Sequence, residues 1–168
     1  TSNIYYTICD FSNAMVYAVK ALGIFRIYEM SNFEGKMLTL VAELHMLLGQ
    51  YDKMIKYVDE AEPIMLGFKE SFVLGKLEFI KSRNCLNQGD DEDALDKIDN
   101  CIDFFEIAEQ KPFQINAHME RIKILIGMEE YEKAKKSLTK IDNIVNKMDN
   151  SSNNLLLSIF KYIIFNKD

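Results

Sequence analysis

One feature constrains this chain more than any other: apolar residues recur at a constant offset of forty positions. Four segments begin at Phe11, Tyr51, Asp91 and Tyr131. Three residues on come Ala14, Met54, Ala94 and Ala134, and four further Ala18, Val58, Ile98 and Leu138. The register continues through Ala21, Ala61, Cys101 and Ile141, then Ile24, Ile64, Phe104 and Ile144, followed by Phe25, Met65, Phe105 and Val145. It closes with Tyr28, Phe68, Ala108 and Met148. Steps of three and four residues trace one face of an α-helix, and polar residues such as Lys53, Lys56, Asp59 and Glu60 fill the gaps. Each copy reads as an amphipathic helix of roughly eighteen residues.

A second helical stretch precedes each of these, over about Phe33–Leu48, Phe72–Asn87 and Pro112–Met128, with a last one from about Ser152 to Asn166. Gly49-Gln50, Gly89-Asp90 and Gly127 followed by Glu129-Glu130 supply turns, because Gly ends a helix in the left-handed conformation at little cost. Pro112 suits a first helical turn. Pro63 falls inside a second helix, where it is expected to kink or break it. A hairpin of this kind cannot bury its own apolar face, so copies must stack. The expected fold is all-α, a right-handed α-solenoid of about four antiparallel helix hairpins. A four-helix bundle would not need the constant offset.

Here composition enters, to exclude functions. With 26 acidic against 20 basic residues and a net charge of −6, the chain lacks the basic surface that nucleic-acid or membrane-surface binding requires. It has no apolar run long enough to span a bilayer and no cationic-then-apolar leader, so a cytoplasmic setting is expected. Cys9, Cys85 and Cys101 are odd in number and widely spaced, which points to reduced, buried thiols.

The stretch Leu38–Ala61 resembles a tetratricopeptide repeat. Ala42 stands where that family has the small residue of its first helix, Gly49 and Tyr51 where it has the turn glycine and opening aromatic, and Ala61 at its later small position. The next copy offers Ser82, Gly89, Ala94 and Cys101, and the third Tyr131 and Ala134, with Ile122 at a small position. The family's usual period is about 34 residues; the excess here reads as a longer second helix. The resemblance covers residues 1–168 as one domain: a partial first repeat 1–28, repeats 32–68, 72–108 and 112–148, and an unpaired last helix 152–166. That phase, and a start without Met, read as a segment excised from a longer protein. Lengthened repeats of this kind resemble those preceding output domains in maltose-activator-like transcription factors, peptide-pheromone receptors and repeat-bearing diguanylate cyclases.

Chemistry is scarce. His45 and His118 have no carboxylate or Cys at ligand spacing and read as core or surface residues, so neither a metal nor a cofactor is expected. No phosphate loop or nucleophile turn occurs, and the chain reads as a non-enzyme. The run Asp90–Asp93 has Leu95 and Cys101 where a calcium loop needs Gly and Glu, so it caps a helix, and Asp96, Asp99 and Asp103 continue as a solvated face. The resemblance instead directs attention to the concave surface lined by first helices. By phase this holds Lys36, Thr39, Glu43 and Met46, then Lys76, Phe79, Arg83, Leu86 and Asn87, then Asn116, Met119, Lys123 and Ile126. Lys36, Lys76, Arg83 and Lys123 form a basic line suited to an acidic or C-terminal carboxylate group of a peptide. The expected function is a protein- or peptide-binding scaffold or sensory module of a bacterial regulatory multidomain protein. The alternative is a ligand-sensing domain controlling an absent DNA-binding or cyclase domain. The apolar last helix, with Leu155, Leu156, Leu157, Ile159, Phe160, Tyr162, Ile163, Ile164 and Phe165, marks a homodimer surface or the place of a lost continuation.

Overall fold

The computed structural model describes residues 10–146, 158, 160–162 and 164. It contains α1 (Phe11–Ile27), α2 (Ser31–Leu47), α3 (Tyr51–Phe68), α4 (Ser71–Gln88), α5 (Asp91–Ile107), α6 (Lys111–Gly127) and α7 (Tyr131–Asn146). Each helix packs on the next, and α2 also meets α4, so the hairpins stack as a solenoid with first helices α2, α4 and α6 adjacent. No described helix is long and apolar enough to cross a membrane.

Helices start at 11, 31, 51, 71, 91, 111 and 131, so the forty-residue repeat is two twenty-residue halves. The expected longer second helix is therefore corrected: α2 and α3 span 17 and 18 residues, α4 and α5 18 and 17. The extension over ordinary repeats is shared between both helices, as stacking in parallel layers requires.

The six turns among the described residues are alike. A residue of positive φ stands at Glu29, Gly49, Lys69, Gly89, Glu109 and Glu129. Its N–H bonds three residues back, and the next N–H bonds five residues back, as Asp90 does to Cys85 O at 2.9 Å and Glu130 to Leu125 O at 2.8 Å. This double closure satisfies the last carbonyls of each helix. Asp90 then caps α5 by accepting from Asp93 N at 3.1 Å, as the acidic run implied. Gly127, expected in the turn, is instead the last residue of α6, and Glu129 takes the left-handed position. A non-Gly residue there costs roughly 1–2 kcal/mol, partly offset by the entropy that Gly loses on folding. Glu109→Gly and Glu129→Gly should each stabilise the fold by about 0.5–1 kcal/mol, while Gly89→Ala should destabilise it. Urea unfolding midpoints would show this, and a loss on Glu129→Gly would contradict it.

Pro63 does not break α3, which runs on to Phe68. Pro63 and Asp59, whose carbonyl loses its partner, are both on the exposed side, where water can serve the freed oxygen.

The apolar columns form the core. Ala14, Met54, Ala94 and Ala134 are 0% exposed, and Ala18, Val58, Ile98 and Leu138 are at most 3% exposed. The later columns depart from this in part: Ile24 is exposed, and so are Tyr28 and Phe68, which fall where α1 and α3 end. First and second helices pack closely at Gly35 and Gly75, forty residues apart. A Cβ on Gly75 would sit 2.7 Å from the Phe105 ring, and one on Gly35 would meet the end of Met65. The small positions Ala42 and Ser82 are fully buried too, Ser82 donating to Ala94 O at 2.8 Å.

Of the last helix, only Ser158, Phe160, Lys161, Tyr162 and Ile164 are described; the other residues named above for a dimer surface lie outside the described residues. Phe160 and Ile164 are buried in a cluster with Ile115, Ile122, Leu125 and Ile141, and Tyr162 is exposed.

Candidate functional site

The neighbouring first helices α2, α4 and α6 create two adjoining hollows. One, of about 390 Å³, is lined by Phe33, Lys36 and Thr39 of α2, Phe72 and Lys76 of α4, and Phe25 and Glu70. The other, of about 190 Å³, is lined by Glu43, Lys76, Phe79, Phe105, Phe113 and Asn116. Lys76 belongs to both, so they form one groove. Six of the residues predicted from phase (Lys36, Thr39, Glu43, Lys76, Phe79 and Asn116) line it.

Aromatic rings wall the groove. Phe25 stacks on Phe33 with centroids 5.3 Å apart, and Phe105 lies 5.3 Å from Phe113, the same pair of positions eighty residues on. Phe72 bridges the second pair, 4.8 Å from Phe113 in an edge-on arrangement and 5.8 Å from Phe105. The Lys76 ammonium stands 5.7 Å over the Phe72 ring. The sequence pattern put Phe25 and Phe105 in a packing column and did not place Phe33, Phe72 or Phe113 at a binding surface, although Phe33 recurs at Phe113.

Of the expected basic line, Lys36 and Lys76 line the groove and Arg83 and Lys123 do not; all four are paired. Lys36 donates to Glu70 at 2.9 Å, and Lys76 to Glu43 at 2.9 Å. Arg83 donates to Glu120, and Lys123 reaches the same carboxylate at 2.8 Å. The bond from Lys36, with a second from Asn32 at 3.3 Å, holds the Glu70 carboxyl below its ordinary range. Glu120 is only 6% exposed, so it depends on these partners. The two cations that line the groove are thus already neutralised, and an incoming carboxylate would compete with Glu70 for Lys36 or with Glu43 for Lys76.

Thr39, although it lines the groove, is 2% exposed and spends its hydroxyl on Gly35 O at 2.9 Å. Other predicted residues sit elsewhere. Met46, Leu86, Met119 and Ile126 are partly buried against the core clusters. Asn87 is exposed and lies beside Gly49, Gln50 and Lys53 at the α2–α3 turn, away from both hollows.

The histidines are both buried. His45 shares a hydrogen bond of 2.9 Å with Gln50 and stacks on Tyr57, and burial lowers its pKa. His118 is treated below. Cys101 is buried among apolar side chains, and Cys85 is half-buried; burial pushes both thiols up, the opposite of a reactive cysteine. Asp99, expected on a solvated face, has a side chain 47% exposed that also holds Arg121 at 2.5 Å. Among the described residues, no group of His, Cys, Asp and Glu could hold a metal ion.

No protein-family model matches the sequence, and no curated protein matches it. Solved structures do. A Rap protein in complex with competence and sporulation factor superposes with a TM-score of 0.82 at 17% identity, over 95% of this chain and 44% of that one. The fold is a tetratricopeptide-like α-solenoid. The apo form of RapI gives a TM-score of 0.81 at 17% identity, over 99% of this chain and 46% of that one. Aspartyl phosphate phosphatase F from Bacillus subtilis gives 0.81 at 22%, over 96% and 42%. The chain spans less than half the length of each.

Proposed function

We propose that this chain is a peptide-binding helical-repeat module of a regulatory protein, acting through the groove over α2, α4 and α6. The observation that carries the reading is the groove itself, an aromatic-walled channel edged by Glu43, Lys76, Phe79 and Asn116. An extended peptide has unpaired backbone groups and alternating side chains; the rings accept its apolar side chains, and the amide of Asn116 offers a donor and an acceptor to its backbone. The solved Rap protein bound to competence and sporulation factor supports the same reading. In this reading α1 to α7 act as one continuous array. A sensor that switches an absent DNA-binding or cyclase domain is the second form of this proposal.

The test is fluorescence anisotropy with a synthetic library of labelled peptides of five to eight residues. Binders are expected to compete with one another and to lose affinity by roughly tenfold or more on Phe79→Asp or Asn116→Ala. Arg83→Glu is a poor probe, because it sets a carboxylate beside the buried Glu120 and disturbs the fold. Peptides that bind both variants as tightly as the parent would place the site elsewhere.

A further inference from the structure

The stacked repeats bring three equivalent seams into view, each lying between successive second helices and floored by two residues of the first helix between them. In the first seam the floor is Leu38 and Val41, both 0% exposed. It is closed by apolar packing that includes Leu22 and Val58. In the second, forty residues on, the floor is Glu78 and Lys81. The Lys81 ammonium bonds both Glu78, at 2.9 Å, and Glu62 of α3, and Asn100 of α5 also reaches Glu78. That seam is closed by ions.

The third seam, between α5 and α7, is open. Its floor is His118 and Arg121, and it holds a cavity of about 460 Å³ on the side of α6 turned away from the groove. The charge has also reversed. Where the second seam has Asp93, Asp96 and Asn100, the third has Lys133, Lys136 and Lys140. These lysines and Ser137 share one face of α7 and line the cavity with Asp99 and Asp103 of α5. Like charges on one face of a helix repel, so this arrangement destabilises an empty site.

The polar groups are arranged for a guest. Arg121 is oriented by Asp99, at 2.5 and 3.3 Å, and donates to Ser137 Oγ at 2.6 Å. Three of its five N–H groups are used there, which leaves two. Lys133 is held by Glu130 at 3.1 Å, but Lys136 and Lys140 enter no ion pair or hydrogen bond among the described residues. His118 is 4% exposed, and its Nδ1 has no partner. A buried ring nitrogen without a partner is costly, and a bound oxygen would relieve that cost. Burial first, then Lys140 and Arg121, lowers its pKa to about 4, so the ring is neutral near pH 7 and can donate a single N–H to an anion.

We propose that the seam between α5 and α7 is a binding site for a small anion carrying phosphate groups, held by Arg121, Lys136 and Lys140 over His118. Fixed Arg donors match phosphate oxygens in geometry, and the two unpaired lysines supply neutralising charge. The cavity is the size of an ordinary small-molecule site, and its lining is too polar for an apolar ligand.

The experiment is isothermal titration of the chain with inorganic pyrophosphate, with orthophosphate and citrate as parallel arms. Saturable one-to-one binding of pyrophosphate is expected, weaker for orthophosphate and weaker for citrate. Lys136→Glu/Lys140→Glu should weaken it by roughly tenfold or more, with thermal unfolding little changed because both lysines are exposed. Lys53→Glu/Lys56→Glu carries the same charge change on α3, at the places equivalent to Lys133 and Lys136, and should leave binding intact. The His118 ring resonances should titrate above about 4 when pyrophosphate is present, which a purely structural role would not produce. Absence of saturable binding, equal loss in both double variants, or citrate binding as tightly as pyrophosphate would each overturn the proposal.

Discussion

Replacing Gly75 by Val is expected to destabilise the fold by about 2–3 kcal/mol and to weaken any ligand of the groove at the same time. Gly75 lies on α4 where it crosses α5. A Cβ there would stand 2.7 Å from two atoms of the Phe105 ring and 3.2 Å from Phe104 Cβ. That ring cannot swing aside freely, because Phe72 and Phe113 hold it at 5.8 and 5.3 Å. The two helices must part, and the ring that walls the groove moves with them. Gly35 is the internal control. It occupies the same place one repeat earlier, but the atoms nearest a Cβ there are the end of Met65, a flexible side chain that can repack, and Ile64 Cγ2 at 3.0 Å, rather than a ring. Gly35→Ala should therefore be nearly neutral, or stabilising by up to about 1 kcal/mol through helix propensity. Urea unfolding followed by circular dichroism compares the pair. Equal effects at both sites would show that the crossing at Gly75 is looser than described.

The second large effect is expected at Lys81. Burial alone would pull its ammonium down, and bonds to Glu62 and Glu78 more than reverse that, leaving it raised. The Glu78 side chain is only 9% exposed. Lys81→Met leaves that carboxylate buried with little more than Asn100, at 3.4 Å, and should cost about 3 kcal/mol near pH 7. The repeat also predicts the repair. The same two positions one copy earlier are Leu38 and Val41, fully buried between the same kinds of helix. Glu78→Leu/Lys81→Val should consequently recover most of the loss, since apolar residues often match or exceed a buried ion pair in stability. If the double variant is as unstable as Lys81→Met alone, the second seam is not equivalent to the first.

Much of the architecture was legible because it is written in local terms. Helix periodicity needs only residues three and four apart, and burial of Ala14, Val58, Ile98 and Ile141 follows from their columns. The cap at Asp90 depends on Asp93, three residues away. Left-handed turns at Glu29, Lys69, Glu109 and Glu129 were not legible by composition, because glutamate and lysine do not advertise positive φ. The exact spacing of Gly49 and Gly89 carried that information, since twenty-residue steps from either glycine reach all six turns. Pro63 misled for the opposite reason: a local rule predicts a break, and exposure of the freed carbonyl removes most of its force.

The groove was half legible. Phase placed Lys36, Glu43, Lys76, Phe79 and Asn116 on one surface, because they repeat with the first helices. It could not say that Lys36 meets Glu70, that Lys76 meets Glu43, or that Arg83 and Lys123 converge on Glu120. Apart from Lys123 and Glu120, these partners are 33 to 37 residues apart, joined only once one hairpin stacks on the next. The seam over His118 belongs to the same class. By itself the sequence determined that the chain must form equal helical hairpins and must stack them, since amphipathic periodicity and breaker spacing act within each helix. Only the tertiary structure decided which charges are neutralised, which ring nitrogen is left unpartnered and which seam stays open. Those outcomes depend on distances between helices, which packing sets and residue order does not reveal.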